Sequence, residues 1–168
     1  IYTVVFRSCI FKNMLMDTTV IRLSSVLNVH IHSTAIINAI SFEITKSKIV
    51  TIEHIKCKRL IKSLMKTDKE KPATVVIFAR HISILNSLFY HLNNHVVHCK
   101  QAKSVLFQQN KVINCTGRKR GIVTLEITKN YYPSSSAYIN NNTFTSCTSN
   151  TNGGAMEIII GAYVKKNY

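Results

Sequence analysis

The chain has 168 residues, of which 46% are hydrophobic and 17% charged, with 5 Gly, 2 Pro and no Trp. This composition excludes collagen-like, low-complexity and intrinsically disordered classes, and no apolar run is long enough for a membrane-spanning helix. The charge is lopsided, with 22 Lys+Arg against 7 Asp+Glu for a formal +15, and it directs attention to an anionic partner.

In chain order the sequence reads as copies of one pattern. Around an anchor position, apolar residues fall five and three places before it and two and five places after it. The first copy is anchored at Cys9, with Val4, Phe6, Phe11 and Met14. The second, at Thr34, has Val29, Ile31, Ile36 and Ala39, and the third, at Ile55, has Val50, Ile52, Cys57 and Leu60. A loop insertion is expected near 66–72, where Pro72 closes a lysine-rich stretch, and a strand-like run follows at 73–78. Ser87 anchors the fourth copy (Ile82, Ile84, Phe89, Leu92) and Asn110 the fifth (Val105, Phe107, Val112, Cys115). Another strand-like run at 122–127 precedes a second expected loop near 130–136. The sixth copy, at Asn142, has Ala137, Ile139, Phe144 and Cys147, and a last run covers 155–160. All 24 pattern positions are apolar, whereas a 46% hydrophobic chain supplies about half that number by chance.

The two-residue step before the anchor is the period of a strand, and Val, Ile and Phe suit a half-buried pleated surface. The steps of three mark bends at which the inward face is re-aimed. Antiparallel hairpins would need turn signals such as Asn-Gly between strands, and that dipeptide occurs once, at Asn152-Gly153. Anchor spacings of 25, 21, 32, 23 and 32 residues instead suit the coils of a parallel solenoid, with the two long intervals holding the loops. The expectation is one segment over residues 1–168, about six coils stacked about 4.8 Å apart. Because the chain starts at Ile1 and Tyr168 closes no recognisable element, it is expected to be a fragment or processed product.

The segment Asn141-Asn142-Thr143-Phe144-Thr145-Ser146-Cys147, followed by Gly153-Gly154-Ala155-Met156, resembles the F-x-x-N … G-G-A-I repeat of polymorphic outer-membrane-type surface proteins. The match covers one coil and departs at Cys147, where that repeat prefers Asn. The looser pattern is similar, over nearly the whole chain, to the right-handed parallel β-helix (pectin-lyase-like) repeat proteins. This resemblance implies an all-β, three-faced, right-handed solenoid, and enzymes on that fold work mostly with clustered acids.

Here the acids are sparse. The only Asp residues are Asp17 and Asp68, so no Asp cluster offers a calcium site, and neither a metal nor a cofactor is expected. Aligning 125–127 with 156–158 puts Glu126 and Glu157 on one face of adjacent coils, approaching the spacing of a retaining glycosidase pair. Both are flanked by apolar residues and read more simply as outward, solvated strand positions. His30 and His32 should face outward, with His32 in a charge ladder between Arg7 and Glu53. His91, His95, His98 and Cys99 have metal-ligand residue types but no recognised metal spacing.

Five cysteines form no C-x-x-C motif; Cys57, Cys115 and Cys147 are expected inside, with Cys115 and Cys147 forming a thiol stack rather than a bridge. Asn110 and Asn142 suggest a short Asn ladder at a bend. Asn114 and Asn141 open N-glycosylation sequons, which permit secretion. Basic residues gather between 46 and 71 and in a loop triplet. Lys56, Lys58, Arg59, Arg118, Lys119 and Arg120 are therefore the candidates for polyanion binding. No nucleic-acid-binding signature accompanies them.

The resulting expectation is a non-catalytic scaffold, adhesin or carbohydrate-facing module, extracellular or on a cell surface, with an acidic glycan or acidic protein surface as partner. A carbohydrate-active enzyme and a nucleic-acid or polyanion binder are the alternatives.

Overall fold

The computed structural model describes residues 2–12, 21–37, 42–58, 75–92, 96–117, 121–128, 135–149 and 154–160. In chain order, β1 (Thr3–Arg7) and β2 (Ile10–Lys12) are followed by β3 (Ile21–Ser24), β4 (Asn28–His32) and β5 (Ala35–Ile37). Next come β6 (Phe42–Glu53) with β7 (Lys56–Lys58), and β8 (Val75–Leu85) with β9 (Leu88–Tyr90). Then follow β10 (Val97–Ala102), β11 (Ser104–Gln108), β12 (Lys111–Ile113) and β13 (Thr116–Gly117). The remainder are β14 (Val123–Ile127), β15 (Ser136–Asn140), β16 (Thr143–Thr145), β17 (Thr148–Ser149) and β18 (Met156–Ile160). The described residues are all-β, and every ladder among them is parallel.

The ladders join corresponding places of successive units. Val4 pairs with Val29, Val29 with Val50, Val50 with Ile82, Ile82 with Val105 and Val105 with Ala137. One bend later, Phe11, Ile36, Cys57, Phe89, Val112 and Phe144 stack in the same order. These are the columns expected from the sequence, in the same register. A third series follows each copy in the chain: β3, the start of β6, the start of β8, β10, β14 and β18. It contains the three strand-like runs at 73–78, 122–127 and 155–160, together with Ile21–Ser24, the start of β6 and β10.

The bends have a backbone signature. The residue before each anchor, namely Ser8, Ser33, His54, Asn86, Gln109 and Asn141, has φ between 49° and 55°. His91, Asn114 and Ser146, four places after their anchors, do the same. These are the two steps of three in the pattern, so each consists of one left-handed residue between extended stretches. Such a residue strains any side chain with a Cβ by roughly 1–2 kcal/mol, and Asn, which tolerates the region best, recurs there. The N–H groups at the bends stay in the ladder: Asn86 donates to Gln108 O at 3.1 Å and Gln109 to Asn140 O at 3.0 Å.

One core cluster runs from Ile21 to Leu125 and contains Val29, Ile31, Val50, Ile52, Ile82, Ile84, Val105 and Phe107. At the outer strands the inward pattern is less covered. Ile139 on β15 is 37% exposed and Ile158 on β18 is 48% exposed, because the described residues place no strand beyond either. The 66–72 loop and residues 130–134 of the second loop lie outside the described residues; Ser135 leads into β15, which begins at Ser136.

Candidate functional site

The outward side of the six-stranded sheet formed by β2, β5, β7, β9, β12 and β16 carries the most one-signed chemistry. Alternation on these three-residue strands buries the middle residue and turns its two neighbours outward. One outward row is Ile10, Ala35, Lys56, Leu88, Lys111 and Thr143; the other is Lys12, Ile37, Lys58, Tyr90, Ile113 and Thr145. Four lysines thus share a face on which the described outward strand residues include no carboxylate. Lys12, Lys56 and Lys111 are exposed and Lys58 is half-buried. The Lys58 ammonium sits 5.3 Å from the Tyr90 ring centroid, a cation–π distance that leans its stem against the sheet. Lys56 and Lys111 are two strand steps apart, about 10 Å at the usual strand spacing. Arg59, Arg118, Lys119 and Arg120 lie outside the described residues. The sequence reading named Lys56 and Lys58 but not Lys12 and Lys111. Only the strand register brings those four together.

Glu126 and Glu157 do share the outward side of β14 and β18, but they are not opposite one another. Glu157 pairs with Thr124, and Glu126 with Ile159. The alignment expected from the sequence is therefore two positions off, and diagonal positions of this kind stand about 7–8 Å apart. The Glu126 carboxylate is instead 2.9 Å from His98 Nε2, and Glu43, in the same series, accepts from Arg22 Nε at 2.9 Å. Glu157 Oε2 is buried with no partner among the described residues.

His98 points outward on β10 while its neighbour Cys99 is buried, so the two face opposite sides of the strand. His91 occupies a bend and His95 lies outside the described residues. Among the described residues no group of three His, Cys, Asp or Glu could hold a metal ion. His30 is exposed, and His32 lies between Arg7 and Glu53 in register, with its Nε2 3.9 Å from the Glu53 carboxylate.

All five cysteines are free. Cys57 and Cys115 are buried, and burial together with a neighbouring thiol pushes both up to about 12; burial also raises Cys99. A thiol held protonated in this way packs as a small apolar group and is a poor nucleophile. Cys115 Sγ lies 3.3 Å from Ile113 O, and Cys147 Sγ 3.3 Å from Val112 O.

The Asn ladder exists and is longer than expected. Asn142 Oδ1 accepts from Asn110 N at 2.9 Å, and Asn110 Oδ1 accepts from Ser87 N at 3.0 Å. Ser87 Oγ then accepts from Ile55 N at 3.3 Å, so a hydroxyl continues a column that was expected to stop at Asn110. Asn110 Nδ2 also donates to Ile84 O at 2.9 Å, which satisfies a carbonyl at the bend. Of the two sequons, Asn141 is exposed at a bend and Asn114 is half-buried at another.

Comparison with protein-family models, curated proteins and solved structures finds no match to this chain.

Proposed function

We propose that the chain is a right-handed parallel β-helix of the pectin-lyase-like kind, one segment of about six coils. It serves as a non-catalytic scaffold or adhesin of a secreted or surface protein and turns the β2–β16 sheet toward an acidic glycan. The observation that carries the binding half of this reading is the set Lys12, Lys56, Lys58 and Lys111 on one regular sheet face, with no carboxylate among its described outward strand residues. Cations on alternate strands β2, β7 and β12 face a linear polyanion at a fixed repeat, and Leu88, Tyr90 and Ile113 among them offer apolar surface for sugar rings. The architectural half is supported by ladders that are all parallel among the described residues and by left-handed bends at the same place in each unit.

The test is binding of an immobilised acidic polysaccharide against a neutral one over a salt series. The expected result is salt-weakened binding to the acidic polymer, reduced at least tenfold when Lys12, Lys56, Lys58 and Lys111 are together replaced by Gln. Equal binding of the neutral polymer, or affinity untouched by the four replacements, overturns the reading. Turnover of the polymer that Glu126→Gln abolishes would overturn it in favour of a carbohydrate-active enzyme.

A further inference from the structure

At one end of the parallel stack the outermost strands are β1, β2 and β3, and at the other they are β15, β16 and β18. Among the described residues each of them pairs on one side only, so its outer edge presents a row of backbone donors and acceptors. Apolar side chains lie open beside these edges. Val5 and Ile10 are 55% and 72% exposed at the first end, and Tyr138 is 66% exposed at the second, next to Ile139.

The two ends are complementary because every coil repeats one register. One further step of the ladders sets β1, β2 and β3 of a second copy against β15, β16 and β18 of the first. The inward columns then continue: Ile139 meets Phe6, Phe144 meets Phe11 and Ile158 meets Leu23 of the copy. Outside, Tyr138 meets Val5. The backbone matches as well. At the bends Ser8 N donates to His32 O at 3.1 Å and Gln109 N to Asn140 O at 3.0 Å, both towards the following coil. Ala35 N donates back to Cys9 O, and Thr143 N to Asn110 O, both at 2.9 Å. Across the junction the same two bonds run from Asn141 N to Arg7 O and from Ile10 N to Asn142 O.

The charges favour this pairing over the alternatives. Arg7, Lys12 and Arg22 stand on the first end, whereas β15, β16 and β18 carry no cation and one carboxylate, Glu157. The row that begins with Arg22 and Glu43 ends with Thr124 and Glu157, so one more step brings Glu157 opposite Arg22 of the copy. Arg22 holds Glu43 through Nε at 2.9 Å, and a guanidinium carries further N–H groups for a second carboxylate. Two first ends would instead bring like charges together.

We infer that the chain assembles head to tail with a second copy of itself, through the three open strands at each end. Such a contact joins two different surfaces and leaves one of each open, so the stack grows rather than closes. The +15 charge on each copy opposes stacking at low salt, and added salt promotes it, the opposite of its effect on polyanion binding.

Sedimentation velocity over concentration and salt series tests this on the chain and on Ile10→Pro, Tyr138→Lys, Glu157→Arg and Arg22→Glu. Ile10→Pro removes an edge N–H, and Tyr138→Lys sets a cation against Val5 and Arg7 of the copy; both positions are exposed, and circular dichroism checks that each variant is folded. The expected result is a species that lengthens with concentration and with salt, with association weakened about tenfold in these two variants. Glu157→Arg and Arg22→Glu should each associate poorly alone, and their equimolar mixture should restore stacking, because every junction between unlike chains pairs opposite charges. A chain that stays monomeric throughout, a dimer that does not grow, association unchanged in both edge variants, or a mixture no better than its parts overturns the inference.

Discussion

At the scale of single residues, the bends depend on side chains that accept a left-handed backbone. Gln109 has φ 55° and an exposed side chain, so its conformation can be altered with little disturbance of the core. Gln109→Gly should leave stability unchanged or raise it by up to about 1 kcal/mol, and Gln109→Val should lower it by about 1–2 kcal/mol. Urea unfolding of the two variants separates them, and equal effects would mean that the bend is not left-handed. Asn110 is more exacting: it is fully buried, accepts from Ser87 N and donates to Ile84 O. Asn110→Ala strands both groups and should cost about 3 kcal/mol, more than the same change at half-buried Asn142.

The buried thiols set a pH dependence with a definite sign. Cys57 and Cys115 are raised from 9.0 to about 12, so the folded chain keeps protons that the unfolded chain releases above pH 9. The thiol contribution to stability is complete below pH 9 and is lost as pH rises from 9 towards 12. Denaturant unfolding across that range should show falling stability, with a shallower fall in Cys57→Ala. A profile identical to the parent would contradict the burial.

At the scale of elements, packing between neighbouring strands leaves little slack at Gly121. A Cβ there would lie 2.7 Å from Glu157 N and 2.9 Å from Met156 C, both backbone atoms of β18. Gly121→Ala should therefore displace β18 from β14 and lower the melting temperature, with faster amide exchange at Val123 and Leu125; unchanged exchange would contradict the contact. The apolar columns of two strand series were legible in the sequence, because one side of each short strand is buried and register then has little freedom. The third series was only partly legible. Its strands at Ile21–Ser24 and Val97–Ala102 fall between copies of the pattern, and Phe42–Thr45 belongs to the same strand as the next copy. Bulges at β6 and β10 shift the register there, so no constant offset from the anchor finds them.

The same limit explains the candidate sites. Lys56 and Lys58 stood out because basic residues crowd around them in the chain, whereas Lys12 and Lys111 join them only through the stacking of β2, β7 and β12. The Glu126–Glu157 alignment failed by two residues because each apolar–Glu–apolar triplet was matched to the other, while the ladder follows Val123 with Met156. Ser87 extends the Asn column because its hydroxyl, like an amide oxygen, accepts a backbone hydrogen bond, here from Ile55 N at 3.3 Å.

At the scale of the whole molecule, the +15 charge and the parallel stacking have one consequence in common. The apolar columns take the interior, and the few acids that are described lie outward, with Glu43 and Glu126 engaged by Arg22 and His98. The proposed β-helix requires position along the stack to advance by a fixed amount per unit. Lys12 and Thr145 occupy the same outward row, joined through Ile37, Lys58, Tyr90 and Ile113. Five steps at the usual strand spacing separate them by about 24 Å, and Lys12 from Ile113 by about 19 Å.

Electron-spin distance measurement between labels at Lys12→Cys and Thr145→Cys, in a chain also carrying Cys9→Ser and Cys147→Ser, reads this directly. The stack predicts a single narrow distribution near about 24 Å that shortens by one strand spacing when the second label moves to Ile113→Cys. A broad distribution, or a distance that does not shorten with that move, would contradict the parallel β-helix.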